Sequence, residues 1–580
     1  MPLVNDSCPS LRIASTCVLL MTLAACGGGG SGSTSTAGTG SGGGGIAVGS
    51  LNGLSNPGCL YSYSLTAAPT LTGNDPQLSS QWHLNNTGPS QSGGVAGEDV
   101  RAITAWSTTR GGGNTVAVVD DAIELLHTDL APNIVAGSFD YRPASFGGQF
   151  PLPCTVQDDH GTAVAGIIAA RDNNQTGGAG VAPRSSLMGF NALATNTDAD
   201  ISDALTRQAS VVGVYNNSWG SPDTGRLSAA PTTFVNAITR GLSVGRGGRG
   251  AVYVFPAGNG GCGINEINCV SDNSNFDGYT NLNGVITACA VDSSGLRPNY
   301  GETGANVLVC GPSSSTRVLS TIGTTGVQSS FRSGPQGFTG TSASTPIVAG
   351  VASLVLSANP NLTWRDVRII LARSARKNNR TDGGWALPTF NLARTDLEYN
   401  PQYGFGVVDA TAAVLQATTW TSVGGSSALK SCGPFAQSTS APIPSVVFGS
   451  LGLYPAVINR NSPVPDLIQS VSVPSSCAVS QIEFIEVRVT ITHDYSGDLR
   501  IALVSPAGLV SQLATDRACA FLDGGVQTPT SCGDYNDWRF GSVRHLDESA
   551  IGSWQLRVLD AVQDPDNGVL NSWSITFYGR

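Results

Sequence analysis

The chain predicts an α/β fold, a mostly parallel sheet with helices on both faces, followed by an all-β antiparallel sandwich of jelly-roll type. Three observations lead there. From residue 115 the apolar runs TVAVVD, VVGVYNNSW, AVYVFPAG and GVITACAV alternate with helical stretches such as AVAGIIAAR and FVNAITRGL, a pattern that pairs strands in parallel. Near 420–445 the composition turns to Ser, Pro and Gly, as in a linker. Beyond it IEFIEVRVTIT, LRIALVSP, WQLRVLD and LNSWSITFYG keep a period of two, separated by the turn signals HDYSGD, SPAG and DPDNG.

In chain order, the first 26 residues read as a signal peptide. Arg12 precedes the apolar run IASTCVLLMTLAA, which is shorter than the ~20 residues a membrane span needs. Its end, LAAC, resembles the bacterial lipobox, which implies lipidation of Cys26 and anchorage to a membrane; plain secretion would also fit the small residues. Residues 27–74 begin with GGGGSGSTSTAGTGSGGGG, a tether without side chains to bury, and continue as loop. The α/β region is assigned to 75–425 and the sandwich to 426–580. Within the former, TSASTPIVAGVASLVLSAN is apolar nearly all round, so its helix is predicted to be buried.

A length of 580 residues, with 40% hydrophobic and 12% charged, suffices for one large core and a smaller one. The net charge of −10 disfavours nucleic acid as a partner and favours basic peptides, although it also serves solubility. Thirteen cysteines without CxxC spacing argue for disulfides in an oxidising compartment over zinc. Without Cys8, Cys17 and Cys26, ten remain. Short spacing favours Cys262 with Cys269, Cys289 with Cys310, Cys432 with Cys477 and Cys519 with Cys532, leaving Cys59 with Cys154; connectivity stays open.

The chemistry concentrates at GTSASTP, 340–346, where Ser342 sits between a glycine and the first turn of the apolar helix. A helix start presents unpaired N–H groups and positive dipole, which suits an acyl-transfer nucleophile. Serine needs a base and an orienting group. Of the five histidines, His160 alone is placed for chemistry, opening an Ala/Ile-rich helix in DDHGTAVAGIIAA. The strand in NTVAVVDDAIE ends in Asp120 and Asp121, and strand C-terminal edges are where open α/β sheets keep their sites. Each has a plainer alternative: a turn cap for Asp120, a satisfied buried imidazole for His160, an N-cap for Ser342.

VVDDAIELLHTDL, DDHGTAVAG, NNSWG, PAGNGG, FDGYTN and GTSASTP together resemble the subtilase superfamily, and DGYTN, NLTWRDVR and YGFGVVDA resemble its kexin and furin branch. The tail from THDYSGDLRIALVSPAG through YNDWRFGS to SWSITFYGR resembles the P domain of that branch, which stabilises its neighbour; without the resemblance it could equally be a carbohydrate-binding or adhesive module. The resemblance implies a serine endopeptidase in which Asp120 orients, His160 is the base, Ser342 attacks, and Asn259 joins the Ser342 amide in an oxyanion hole; between two glycines, Asn259 could otherwise be a turn residue. It implies a substrate cleft formed by Ser218, Trp219 and Gly220, with Asp223 and Asp277 receiving Arg or Lys in the first pocket and Asp121 favouring a basic residue one place upstream. Gln157 and Thr206 stand where the branch carries further acids, so little preference beyond that is expected. It also implies two calcium sites: Asp75, Asp129 and Asn174 with backbone oxygens of Arg171, Thr176 and Gly178, and Asp223, Asp272 and Glu302 under the pocket.

Fewer than 50 residues separate Cys26 from Asp75, shorter than the folded prosegment usual in the superfamily, which predicts reliance on an external folding chaperone. The expected protein is a monomeric, calcium-stabilised protease, lipid-anchored on a bacterial envelope and acting on peptides or proteins with basic residues. A broad-specificity degradative subtilisin-like protease would lack the paired acids of the first pocket, and an inactive surface binding protein would have lost a triad member or Asn259; the chain retains all of these.

Overall fold

The computed structural model describes residues 73–143, 150–155, 157–262, 271–314, 324–326, 330–333, 337–445, 466–523, 526–562 and 568–580. The predicted signal peptide, tether, Cys26, Cys59 and Cys269 lie outside the described residues.

Six strands form one parallel sheet: β1 (Thr115–Val119), β2 (Ser186–Phe190), β3 (Val212–Asn217), β4 (Val252–Pro256), β5 (Val285–Val291) and β6 (Val307–Pro312), in the order β2-β1-β3-β4-β5-β6. Val116 to Val119 are all buried, as are β3 to β6 throughout, because helices cover both faces and leave no solvent side to alternate with. The helices are α1 (Pro89–Ser92), α2 (Ala102–Ala105), α3 (His160–Ala169), α4 (Asp198–Ala204), α5 (Thr232–Gly248), α6 (Thr341–Ala358), α7 (Trp364–Ser374) and α8 (Ala410–Thr419). Helix α5 is interrupted at Gly245–Gly247, where the backbone leaves helical angles. Helix α6 is buried from Ala343 to Leu356 and packs against α3, α8 and strands β3 to β6. By length and composition it could pass for a membrane span, but here it is the central core helix. Residues 324–326 (β7) and 330–332 (β8) form a small hairpin against α3.

The order reverses at β1, which has β2 on one side and β3 on the other. Both pairings are parallel, so the carboxyl ends of β1, β3 and β4 open on one edge, at the switch point where such sheets hold ligands. Asp120, Ser218 and Asn259 follow those strand ends.

The second region has two antiparallel four-stranded sheets. One runs β10 (Leu467–Val473), β17 (Gly552–Asp560), β12 (Leu499–Val504), β13 (Val510–Ala514); the other runs β16 (Tyr535–Ser542), β11 (Ile482–His493), β18 (Gly568–Gly579), β9 (Lys430–Ile443). A separate hairpin joins β14 (Ala520–Asp523) to β15 (Val526–Pro529). The period-two reading is realised along β18, where Leu570, Trp573, Ile575 and Phe577 point into the sandwich core. The slip in alternation between Leu570 and Trp573 coincides with a register shift in both flanking ladders.

Three predicted disulfides are formed: Cys289–Cys310, Cys432–Cys477 and Cys519–Cys532. Cys154 and Cys262 are also disulfide-bonded. The two cores interlock. Phe484, Val543 and Leu546 of the sandwich join the core of the α/β region, and Phe276 and Ala305 join that of the sandwich. Between them Arg365 of α7, fully buried, makes a two-pronged ion pair with Glu483 of β11 at 2.8 and 2.6 Å.

Candidate active site

Asp120 is 1% exposed at the end of β1, and its Oδ1 meets His160 Nδ1 at 2.8 Å. His160 opens α3, where its ring stands edge-on to Phe338 with centroids 5.0 Å apart. Phe338 lies four residues before Ser342, so this contact brings the imidazole to the start of α6. Burial lowers the affinity of the ring for a proton, but the Asp120 charge and hydrogen bond, with Asp121 and Asp159, outweigh it and raise the pKa to about 9.

Ser342 is the second residue of α6, after Gly340 in a left-handed conformation (φ +79°) that turns the chain sharply into the helix. Pro346 lies four residues on and has no N–H, so the Ser342 carbonyl lacks its helical partner. The Ser218 hydroxyl supplies that bond at 3.2 Å, itself receiving a hydrogen bond from Asn216 Nδ2 at 3.0 Å. The Ser342 hydroxyl donates back to the Ser218 carbonyl at 3.2 Å. This reciprocal pair couples the nucleophile candidate to the end of β3.

Asn259 is exposed in the turn after β4. Its Oδ1 accepts from the Thr341 amide at 2.8 Å and the Thr341 hydroxyl at 2.9 Å. With the oxygen doubly held at the helix start, the side-chain NH2 group is oriented as a donor beside the first turn of α6.

A cleft of about 270 Å³ opens at Ser342 and is lined by Ser218, Trp219, Gly220, Asn259 and a set of carboxylates, Asp223, Asp272, Asp277 and Glu302. The Asp277 oxygens accept from the Ser221 amide (3.0 Å), the Ser221 hydroxyl (3.1 Å) and the Tyr279 amide (2.7 Å). Burial still lifts its pKa to about 6. Gly220 is required there, because a Cβ would stand 2.8 Å from Asp277 Oδ2. Trp219 braces the wall by donating to the Val119 carbonyl at 2.9 Å and by edge contacts with Phe255 and Tyr279.

Asp121 lies outside the first-pocket cleft, at the start of α3 beside His160. Its oxygens accept from the amides of Ala122 (2.5 Å), Gly161 (2.8 Å) and His160 (3.3 Å), so it binds the N-terminus of α3, where helix dipole and unpaired N–H groups attract a carboxylate. Burial and the neighbouring Asp120 raise its pKa to about 7. Gln157 is exposed, and Thr206 turns its hydroxyl onto the carbonyls of Ser202 and Asp203, so neither adds charge to the cleft.

The two predicted calcium sets are each drawn together. Asp75 accepts from the amides of Asn173 and Asn174, both at 2.9 Å. Asp129 accepts from Asn174 Nδ2 (2.8 Å) and the Gly178 amide (3.2 Å), its own carbonyl accepts from the Arg171 amide (2.8 Å), and the Thr176 amide closes the loop on Asn174 Oδ1 at 3.0 Å. Burial raises both acids, Asp129 to about 8. In the second set, the Gly260 amide binds Glu302 at 3.0 Å, the Asn259 amide binds Asp223 at 3.2 Å, and Glu302 shares a hydrogen bond with Asp223. Burial, then mutual repulsion with Asp272 and Asp223, lifts Glu302 far above the ordinary carboxylate range. As these side chains stand, no group of three or more His, Cys, Asp or Glu among the described residues is arranged as a ready ligand shell. Buried oxygen-only carboxylate sets held above their normal pKa nonetheless fit a hard cation, which would replace the protons they otherwise need.

Sequence reasoning missed Phe338 against the base, Thr341 on Asn259, and the Ser218–Ser342 exchange. Only the last carries a local signal, a proline four residues after the serine.

The Subtilase family profile matches residues 111–406, and the Proprotein convertase P-domain profile matches 482–577. The chain is 33% identical over 516 residues to a kexin of Candida albicans (strain WO-1), covering 87% of this chain and 50% of that protein. It is 31% identical over 521 residues to proprotein convertase subtilisin/kexin type 7 of Homo sapiens, covering 87% and 60%. The chain thus spans about half to three-fifths of the length of these curated relatives. Among solved structures, a serine protease of Aeromonas sobria superposes with a TM-score of 0.73 at 25% identity, covering 89% of this chain and 97% of that one. With a parallel sheet that gathers Asp120, His160, Ser342 and Asn259 at its switch point, and a β-sandwich docked behind it, the chain belongs to the subtilase family and carries a proprotein convertase P-domain.

Proposed function

We propose that the protein is a serine endopeptidase that cleaves after Arg or Lys. The observation that carries this reading is the carboxylate-lined cleft opening directly at Ser342. A guanidinium or ammonium entering it finds Asp277, held by three donors, as countercharge.

In the proposed reaction the Ser342 hydroxyl turns from the Ser218 carbonyl toward His160 Nε2, which takes its proton as Oγ bonds to the substrate carbonyl carbon. Asp120 holds the imidazolium through Nδ1–H. The carbonyl oxygen, now negative, accepts from the Ser342 amide and the Asn259 side chain, a donor of a kind worth about 3 to 4 kcal/mol. His160 returns the proton to the departing amine as the C–N bond breaks, and water repeats the sequence on the acyl-enzyme. Calcium, bound by Asp75, Asp129 and Asn174 with backbone oxygens of Arg171, Thr176 and Gly178, and by Asp223, Asp272 and Glu302, would neutralise the buried acids and stiffen the pocket. The resemblance of LAAC to a lipobox supports anchorage through Cys26; an external folding chaperone, basic-peptide substrates and a monomeric state complete the reading. We place a strong preference for Arg or Lys at the cleaved position, a moderate preference for a basic residue one place upstream through Asp121, and little beyond.

A peptide library tests this. Cleavage should require Arg or Lys before the scissile bond, and a calcium chelator should lower both activity and the thermal midpoint. Equal cleavage after Leu or Phe would refute the pocket assignment, and indifference to chelator would refute the metal.

The acid limb is a second expectation. Since His160 must be neutral to accept a proton, kcat/KM should rise with pH through a midpoint above the ordinary 6.5, toward about 9. Asp120→Asn should move that midpoint down and lower kcat by about 10⁴-fold. The protonated ring stabilises the fold fully below pH 6.5, and that contribution is lost as pH rises through the folded-state value.

A further inference from the structure

We infer that the P-domain positions the floor of the acidic cleft through a clamp made of Arg517 and the loop closed by the Cys519–Cys532 disulfide. The segment 224–227 directly follows Asp223, and its backbone is gripped three times from the other domain. The Ala520 amide donates to the Thr224 carbonyl at 3.1 Å, Arg517 Nε donates to the Gly225 carbonyl, and the Leu227 amide donates to the Cys532 carbonyl at 2.9 Å. From the inside, the Gly225 amide donates to Asp272 Oδ2 at 2.7 Å. The peptide groups of Gly225 therefore link Arg517 on one side to a cleft carboxylate on the other.

Arg517 also stands over the ring of Phe276, 3.7 Å from its centroid, and Phe276 lines the cleft immediately before Asp277. Arg517 is 5% exposed and anchored in its own domain, with its backbone amide donating to the Gly497 carbonyl at 2.7 Å and Nη1 to the Tyr535 hydroxyl at 3.3 Å. Next to Phe276, Asn275 exchanges two hydrogen bonds with Gly541 of β16, at 3.1 and 2.8 Å. Both chain segments that carry cleft aspartates, 223–227 and 272–277, are thus held by the P-domain.

The physical need follows from how the cleft is built. Four carboxylates converge in the cleft, and the loops that carry them are tied to one another by the isolated bridges Ser228–Asp277 and Asn273–Thr303 rather than by a continuous sheet ladder. Backbone bonds from a rigid neighbour hold them at the spacing at which one cationic side chain meets Asp277. Arg517 is in this sense a positioning residue: it touches neither substrate nor the reacting atoms.

The inference rests on the basic-pocket reading above, so its test separates the two. Binding of benzamidine, a cationic probe, is measured by calorimetry on the full chain carrying Ser342→Ala, and kinetics on arginyl and leucyl peptides are measured with Ser342 intact. Arg517→Met should weaken benzamidine and raise KM for the arginyl peptide by about 10- to 100-fold with kcat within about twofold, and Arg517→Lys should recover part of the loss. The double variant Cys519→Ser/Cys532→Ser should move the same quantities in the same direction, and serves if Arg517→Met fails to fold. Unchanged benzamidine affinity in either folded variant overturns the clamp, as does a fall in kcat on both peptides that merely tracks thermal midpoint. Failure of the Ser342→Ala chain itself to bind benzamidine would sink the basic pocket, and the clamp with it.

Discussion

Ser342→Ala is expected to lower kcat by about a millionfold while leaving the thermal midpoint where it was, because a triad acts as a unit and loses nearly everything with its nucleophile. The fold should not register the change. In the structure the hydroxyl makes one exchangeable bond, to the Ser218 carbonyl, and the rest of the first turn is held by Thr341 on Asn259 and by Ser218 on the Ser342 carbonyl. Initial rates on an arginyl peptide, with circular dichroism melts of the same samples, measure both halves. Residual activity within about tenfold of wild type would mean that another group attacks. A drop in midpoint of several degrees would mean that Ser342 is structural, as its helix-start position alone would allow.

The second large effect is on stability. Arg365→Met should destabilise the two-domain unit by about 3 to 5 kcal/mol, because it leaves Glu483 buried without its principal partner. Arg365 also donates to the carbonyls of Val423 and Gly424 at 3.1 Å, so the linker between the regions loses its anchor as well. Arg580 reaches Glu483 at 3.1 Å and should soften the loss. The double variant Arg365→Met/Glu483→Leu should recover much of it, since replacing both members of a buried pair by apolar groups removes the uncompensated charge. Urea midpoints of the single and double variants decide the matter; a double variant no better than Arg365→Met would show that the pair is favourable beyond its own desolvation.

Much of the architecture is legible in one dimension. Runs such as TVAVV are rich in β-branched residues and unbroken, which suits a strand covered on both faces, and the tail alternates, apart from one slip, because a sandwich strand has one wet face. Three of the predicted cysteine pairs, six residues in all, met as their spacing suggested. The candidate site is legible for a related reason: a left-handed glycine before a helix, a histidine at a helix entrance and an aspartate at a strand end are local arrangements, each written in a few adjacent residues.

Side-chain direction is another matter. Asp120 and Asp121 are neighbours of identical chemistry, yet one faces His160 and the other caps α3; strand pleat and helix placement decide between them. Asp277 is assigned to the first pocket by resemblance, but Ser221, which holds it from 56 residues away, appears only in the folded chain.

The order of elements, the residues proposed to react and three of the cysteine pairings were legible in the sequence alone, because each depends on bonding or periodicity along a short stretch of chain. Which carboxylates share a cleft, and that Arg517 reaches across 292 residues to Gly225, was decided only in three dimensions. Such contacts form between surfaces that exist only after each domain has folded, and no local pattern in the chain encodes where those surfaces meet.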